Sequence, residues 1–245
     1  MTASTSAGLG PAEAARLAAV QLTTRFTLDG KGTIVSESPP DLSPGPLLYV
    51  AEVEPRVAAV GAPLPETLAN DVTRLVNNAA GPDAALNALS TLGPMALSEG
   101  LSFLLPTHVV SPISASPVAW GTPDGEALET RFAAEGMPHE LVALGFREVA
   151  DLWPPWCAAM VDGEVASLAF AARLTQAGAE LGLVTLPAHR GQGLAAAATA
   201  GWSALPALAG RTLFYSTERS NLASQAVAAK LGLPFICPTW EIARA

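Results

Sequence analysis

Leu183-Val184-Thr185-Leu186-Pro187-Ala188-His189-Arg190-Gly191-Gln192-Gly193-Leu194-Ala195 carries the densest chemistry in the chain. An apolar run with strand character enters a turn with two glycines, and an Ala-rich helical stretch follows. A helix N-terminus presents unpaired N–H groups and a partial positive charge, which suits a phosphate. Gly191 and Gly193 let the backbone approach an anion closely and take positive φ. Arg190 adds a permanent charge that pairs with phosphate oxygens. The segment reads as a pyrophosphate cradle.

Two familiar cradles fit less well. Gly191-Gln192-Gly193-Leu194-Ala195-Ala196 satisfies the dinucleotide pattern G-x-G-x-x-G/A. In that pattern the first glycine follows its strand at once, whereas Pro187-Ala188-His189-Arg190 intervene here. Too little chain follows Thr217 to complete a nucleotide-binding sheet. A Walker-type loop is excluded, because no Gly-Lys-Ser/Thr follows the glycines.

A second segment, Ser216-Thr217-Glu218-Arg219-Ser220-Asn221-Leu222-Ala223-Ser224-Gln225-Ala226-Val227-Ala228-Ala229-Lys230-Leu231-Gly232-Leu233, lies downstream. With it, residues 120–245 resemble the GNAT superfamily of acetyl-CoA-dependent N-acetyltransferases. Arg190-Gly191-Gln192-Gly193-Leu194-Ala195 fits that family's Arg/Gln-x-x-Gly-x-Gly/Ala turn after its fourth strand. The Asn221 to Leu231-Gly232 stretch is similar to its later pantetheine-facing helix. The resemblance implies a mixed-sheet α/β acyltransferase fold, with an amino-terminal α+β extension or degenerate half.

It also implies roles. The amides of Gly191, Gln192, Gly193, Leu194 and Ala195, with Arg190, would hold the CoA pyrophosphate. Backbone groups of Val184 and Leu186 would pair with pantetheine, and Asn221 would hydrogen-bond it. Glu180 is the candidate base for the amine, with Glu218 or Asp151 as substitutes if strand alternation turns it away. A tyrosine that often protonates the departing thiolate in the family is replaced by Ala228. Ser224, Tyr215 or water would take its place. The implied reaction is direct transfer of an acetyl group from acetyl-CoA, as co-substrate, to a small-molecule or peptide amine.

Each of these residues also has a purely structural reading. The glycines shape a turn, Asn221 caps a helix, and Glu180 is a strand-end carboxylate. Tyr215, Trp202 and Cys157 suit a core, and His108 and His139 lack partners in sequence. The rivals to an acetyltransferase are a non-catalytic CoA-binding or regulatory domain and, more remotely, a dinucleotide-dependent oxidoreductase. No Gly-x-Ser-x-Gly or His-Glu-x-x-His occurs, so hydrolase chemistry has no support.

The elements that position this chemistry follow from periodicity and punctuation. Helices are expected over Pro11–Leu28, from Pro65 with Leu68, Val72, Leu75 and Val76 on one side, and over Asp83–Leu92. Leu47–Val60 reads as a hairpin broken near Glu54-Pro55-Arg56, and residues 36–46 as a loop. Pro106, Pro112, Pro117 and Pro123, interleaved with serines, place a domain boundary near residue 112. That gives an amino-terminal α+β domain over 1–112 and an acyltransferase domain over 113–245.

In the second half, helices are expected over Glu126–Glu135, His139–Val149, Gly193–Leu205 and Asn221–Leu231. Strands are expected over Cys157–Val161, Val165–Arg173, Glu180–Leu186 and Leu213–Thr217, with pieces at Phe235–Ile236 and Thr239–Ile242. Asp162-Gly163-Glu164 signals a tight hairpin. No glycine-rich turn with an adjoining arginine occurs before residue 112, so one CoA per chain is expected.

Composition sets the outer limits. Of 245 residues, 50% are hydrophobic and 14% charged, enough to bury a core and too apolar for wholesale disorder. A net charge of −9 disfavours nucleic acid and anionic membranes and favours a cationic partner. Two cysteines make no disulfide framework, and no spacing suggests a metal. Met1–Ser6 lacks a signal-peptide pattern, and a reduced, cytoplasmic protein is expected. Gly191–Gly210 carries one charge-free run about 20 residues long, but it is mostly Ala with polar interruptions, so a buried helix is the expectation.

Overall fold

A computed structural model describes residues 9–38, 43–113 and 117–245. Residues 1–6, read for a signal-peptide pattern, and residues 39–42 of the expected 36–46 loop lie outside the described residues. The chain divides into two compact units. The first takes residues 1–104, 216–222 and 234–245; the second takes 105–215 and 223–233.

The first unit begins with helix α1 (Pro11–Arg25), which starts with proline in its first turn and stops where Phe26 becomes extended. Strands β1 (Phe26–Leu28) and β2 (Ile34–Glu37) form a small antiparallel sheet. Then come β3 (Leu48–Ala51), β4 (Val57–Val60), α2 (Glu66–Asn77), α3 (Pro82–Leu89) and β5 (Met95–Leu105). Val72 and Val76, one helical turn apart, enter a core with Leu48, Val50, Leu89, Trp240 and Ile242. Gln21 is fully buried and satisfied at both ends: its amide oxygen accepts from Ser102 Oγ (2.7 Å) and its amide nitrogen donates to Ser216 Oγ (2.8 Å).

The second unit contains β6 (Pro117–Ala119), α4 (Pro123–Glu135), α5 (His139–Val142), β7 (Cys157–Val161), β8 (Glu164–Leu174), β9 (Gly178–Thr185), α6 (Leu194–Ser203), β10 (Thr212–Glu218) and α7 (Leu222–Lys230). Its strands run in the order β10-β9-β8-β7-β6, antiparallel except for the parallel β9–β10 pair. This is the mixed α/β order expected from the sequence. Asp162 (φ 50°) and Gly163 (φ 82°) make the β7–β8 turn with both central residues at positive φ.

The final strand, β11 (Phe235–Arg244), departs from the expected division at residue 112. It lies between β3 and β5, antiparallel to both, so the end of the chain completes the first unit. Pro238 sits inside it, so the two expected pieces are one strand. The expected His139–Val149 helix is also shorter. It stops at Val142, and Gly145 turns the chain at φ 100°. Helix α4 starts three residues early because Thr122 Oγ1 accepts the Gly125 N–H (3.2 Å). Gly125 is bare because a Cβ there would overlap the Ala119 carbonyl.

The two faces of the second unit's sheet differ in side-chain size. One face packs Leu168, Phe170, Val184 and Leu186 against Leu128, Phe132, Leu141 and Phe146. The other presents Cys157, Ala159, Ala169 and Ala171, all buried, where α6 packs on β7, β8 and β9. Small side chains on both partners allow a close approach: a Cβ on Gly201 would stand 2.5 Å from Cys157 Sγ. The charge-free stretch thus folds as a short buried helix. No helix among the described residues is long and apolar enough to cross a membrane.

Candidate functional site

Strands β9 and β10 run together for Thr212↔Gly178, Leu213↔Ala179 and Phe214↔Glu180, and part beyond Glu180. Strand β9 continues to Thr185, paired among the described residues with β8 alone. Its other edge, from Leu181 to Thr185, is therefore open for an added extended chain.

Which backbone groups face that edge follows from the register. Leu186 N–H donates to the Ala166 carbonyl (3.0 Å), and the Val184 carbonyl accepts from Ser167 Oγ (2.8 Å). Hydrogen-bonded and non-bonded pairs alternate along an antiparallel ladder, so Val184 and Leu186 turn their backbone toward β8. Leu183 and Thr185 turn theirs to the open edge, where Arg190 Nε donates to the Thr185 carbonyl (3.4 Å). Val184 and Leu186, expected at that edge, thus turn their backbone away from it, and Leu183 and Thr185 turn theirs toward it. The parity is set by the β8 partner, which local sequence does not reveal.

Past β9, Pro187–His189 form one 3-10 turn, closed by His189 N–H to the Leu186 carbonyl (2.9 Å). Gly191 (φ 78°) and Gly193 (φ 85°) both take positive φ, and Gly193 caps α6. The N–H groups of Gly191, Gln192, Gly193, Leu194 and Ala195 have no backbone acceptor among the described residues; intrahelical bonding begins with Ala196 and Ala197 N–H on the Gly193 carbonyl. Gln192 folds its side-chain amide back to the Ala188 carbonyl (3.2 Å), leaving its main chain exposed. The Ile113 side chain abuts Gly193, at 3.3 Å from the position of a Cβ. This donor set suits a pyrophosphate: consecutive unpaired amides at a ten-residue helix, with Arg190 beside them.

Glu180 is 7% exposed and stands opposite Arg173 on β8 and beside Phe214 on β10. By alternation it shares a face with Gly182 and Val184. Ser224 Oγ lies 2.7 Å from Tyr215 Oη, and that phenol also reaches the Ser224 carbonyl (3.1 Å). Burial raises the Tyr215 pKa above its ordinary value, partly offset by the Ser224 hydrogen bond. Ala228, where the resemblance leads one to look for a tyrosine, is buried.

Of the other candidates, Asn221 falls in the first unit, and its N–H donates to the Glu218 carbonyl (3.0 Å). Glu218 is exposed and accepts from Ser220 Oγ (3.4 Å). Asp151 is occupied as a cap, accepting the N–H groups of Arg147 (2.6 Å) and Glu148 (3.1 Å). Cys157 is fully buried, and desolvation pushes its thiol up to about 12, the state of an inert core residue. No group of His, Cys, Asp and Glu among the described residues has the arrangement of a metal site.

Sequence reasoning missed Leu183 and Thr185, Ser167 and the aromatic pair Trp153 and Phe170. Gly182 held the signal for the last: glycine inside a strand marks a close approach, and a Cβ there would overlap the Phe170 ring.

Neither a protein-family model nor a curated protein sequence matches the chain. Among solved structures it is similar to a GCN5-related N-acetyltransferase-like protein from Streptococcus suis 89/1591, at 19% identity over 95% of this chain and 100% of that one, with a TM-score of 0.49. It is also similar to a GCN5-related N-acetyltransferase from Kribbella flavida (18% identity, 94% of each chain, TM-score 0.46). A third is a GCN5-related N-acetyltransferase from Sphaerobacter thermophilus (12% identity, 96% of this chain and 93% of that one, TM-score 0.42).

Proposed function

We propose that the chain transfers an acetyl group from acetyl-CoA to an amine by direct attack. The observation that carries this reading is the parting of β9 from β10 after Glu180, followed directly by the unpaired amides of Gly191–Ala195. An open strand edge suits the two amide groups of a pantetheine arm, and the amides at its end suit the pyrophosphate. In this reading Leu183 and Thr185 pair with pantetheine, and Arg190 neutralises phosphate. The proposed Asn221 contact with pantetheine is supported by the resemblance alone.

The chemistry asks for little more. The amine must be neutral and held against the thioester carbonyl. Its nitrogen forms the C–N bond, the C–S bond breaks, and the proton lost by nitrogen goes to Glu180 or a water it holds. The departing thiolate takes a proton from the Tyr215–Ser224 pair or from water.

A second reading has a specific observation behind it. Ala228 replaces a tyrosine, and Glu180 faces Arg173, an arrangement that also suits a CoA-binding module without catalysis. Calorimetry with CoA, then thiol release from acetyl-CoA with a panel of amines, separates the two. One CoA bound per chain with amine-dependent thiol release is expected. Binding without release under any amine would favour the non-catalytic module, and no binding would remove both.

A further inference from the structure

We infer that the acceptor amine carries an aromatic ring, seated against Trp153 and Phe170 on the face of β9 that also bears Glu180. This rests on the acyl-transfer reading above and names the substrate class of that same site.

Phe170 stands directly opposite Gly182 in the β8–β9 ladder, and its ring lies across the space a side chain at 182 would fill. That is the same face as Glu180 and Val184, next to the strand segment whose edge is open. Phe170 meets Phe146 edge to face (centroids 5.4 Å, 80°) and Trp153 edge to face (6.0 Å, 84°). Phe146 is buried at 6% exposure, whereas Phe170 and Trp153 are only half-buried. The buried ring braces the other two, and their remaining surface suits one more ring, since edge-to-face and offset contacts add to the area buried.

Trp153 reaches this position through a backbone that a bulky residue rarely adopts, at φ 48° and ψ 78°. The conformation is held at both ends. Trp153 N–H donates to the Ala150 carbonyl (3.3 Å), and its own carbonyl accepts the Ala171 N–H (3.1 Å). Left-handed backbone at a tryptophan persists where the surroundings over-determine it, and such strain collects at binding and catalytic sites.

The test is calorimetry with the CoA-saturated protein and 2-phenylethylamine, n-butylamine or putrescine. The aromatic amine is expected to bind about tenfold or more tightly than either aliphatic one. Trp153→Gly removes the ring while glycine accepts the positive φ, and Phe170→Leu removes the other; each should bring the ratio to within about threefold. A thermal melt of each variant confirms that it is folded. Equal affinities in the parent protein, or an unchanged ratio in both variants, overturn the inference. Thiol release is followed in parallel: release with no aromatic preference overturns this inference alone, and aromatic preference with no release overturns the transfer reading alone.

Discussion

Tyr215 Oη and Ser224 Oγ lie 2.7 Å apart, linking β10 to α7 at the residue after Phe214, the last of β10 paired with β9. The two hydroxyls therefore stand next to the point where the strands part. In the proposed reaction a thiolate leaves there, and Ala228 offers it no proton. Tyr215→Phe and Ser224→Ala should each lower kcat about tenfold or more. If they act as one relay, the double variant is no slower than the slower single. Burial lifts the phenol above its ordinary value of 10.0, so its ionisation should impose no fall in kcat below about pH 10. Undiminished kcat in both variants across pH 6 to 10 would assign the proton to water.

Gly193 combines positive φ with a crowded neighbour. A valine there must hold φ near 85° and set its Cβ about 3.3 Å from Ile113. Left-handed backbone costs a non-glycine residue roughly 1–2 kcal/mol, and the β-branched side chain also covers the amides below it. Gly193→Val should weaken CoA binding at least tenfold by calorimetry. Gly191→Ala is milder: φ is 78°, but a Cβ meets nothing within 4 Å. Its loss should be smaller and come from backbone strain alone. Unchanged affinity in Gly193→Val would place the pyrophosphate elsewhere.

What the sequence made legible was local. The glycine turn, the Asp162-Gly163 hairpin and the Gly232 stop after α7 each follow from conformations that few residues adopt. What it hid was long-range. The choice of β3 and β5 as partners for β11 depends on pairings about 190 and 140 residues distant, respectively. The parity of β9 depends on the Ala166 carbonyl across the ladder, so Leu183 and Thr185, and not Val184 and Leu186, turn their backbone to the open edge. The aromatic face depends on Phe170 meeting a glycine on the next strand. Glu180 was legible as a carboxylate near the right strand, whereas its Arg173 neighbour came from the bulged β8 register.

Both cysteines are buried, and both thiols are pushed up to about 12, by desolvation first and for Cys237 also by the Glu52 charge. A folded-state value above the unfolded one contributes stability that is complete below about pH 9 and lost as pH rises toward 12. Urea unfolding at pH 8, 9.5 and 11 should show falling stability, with each thiol contributing at most roughly 4 kcal/mol by pH 12. Cys157→Ala should flatten the slope by its share. At pH 7.5 neither thiol should react with a disulfide reagent in the native protein, which leaves released CoA thiol as the clean signal of turnover. Rapid labelling of Cys157 at that pH would contradict its burial.

Glu180 faces Arg173 across the ladder, so two roles compete, and the variants separate them. As a base or a holder of a basic water, Glu180 is needed only while an ammonium loses its proton. Glu180→Gln keeps the shape and should then lower kcat about a hundredfold, with CoA affinity within about twofold of the parent. As a cross-strand ion pair, it is worth about 0.2–1 kcal/mol of stability. Arg173→Gln would then match Glu180→Gln in a thermal melt, and neither would slow the reaction. The rate decides between them: loss of the base slows the reaction, while loss of the pair leaves kcat in place. A Glu180→Gln enzyme with full turnover from pH 6 to 9 would move the base to another group or show that bulk water suffices.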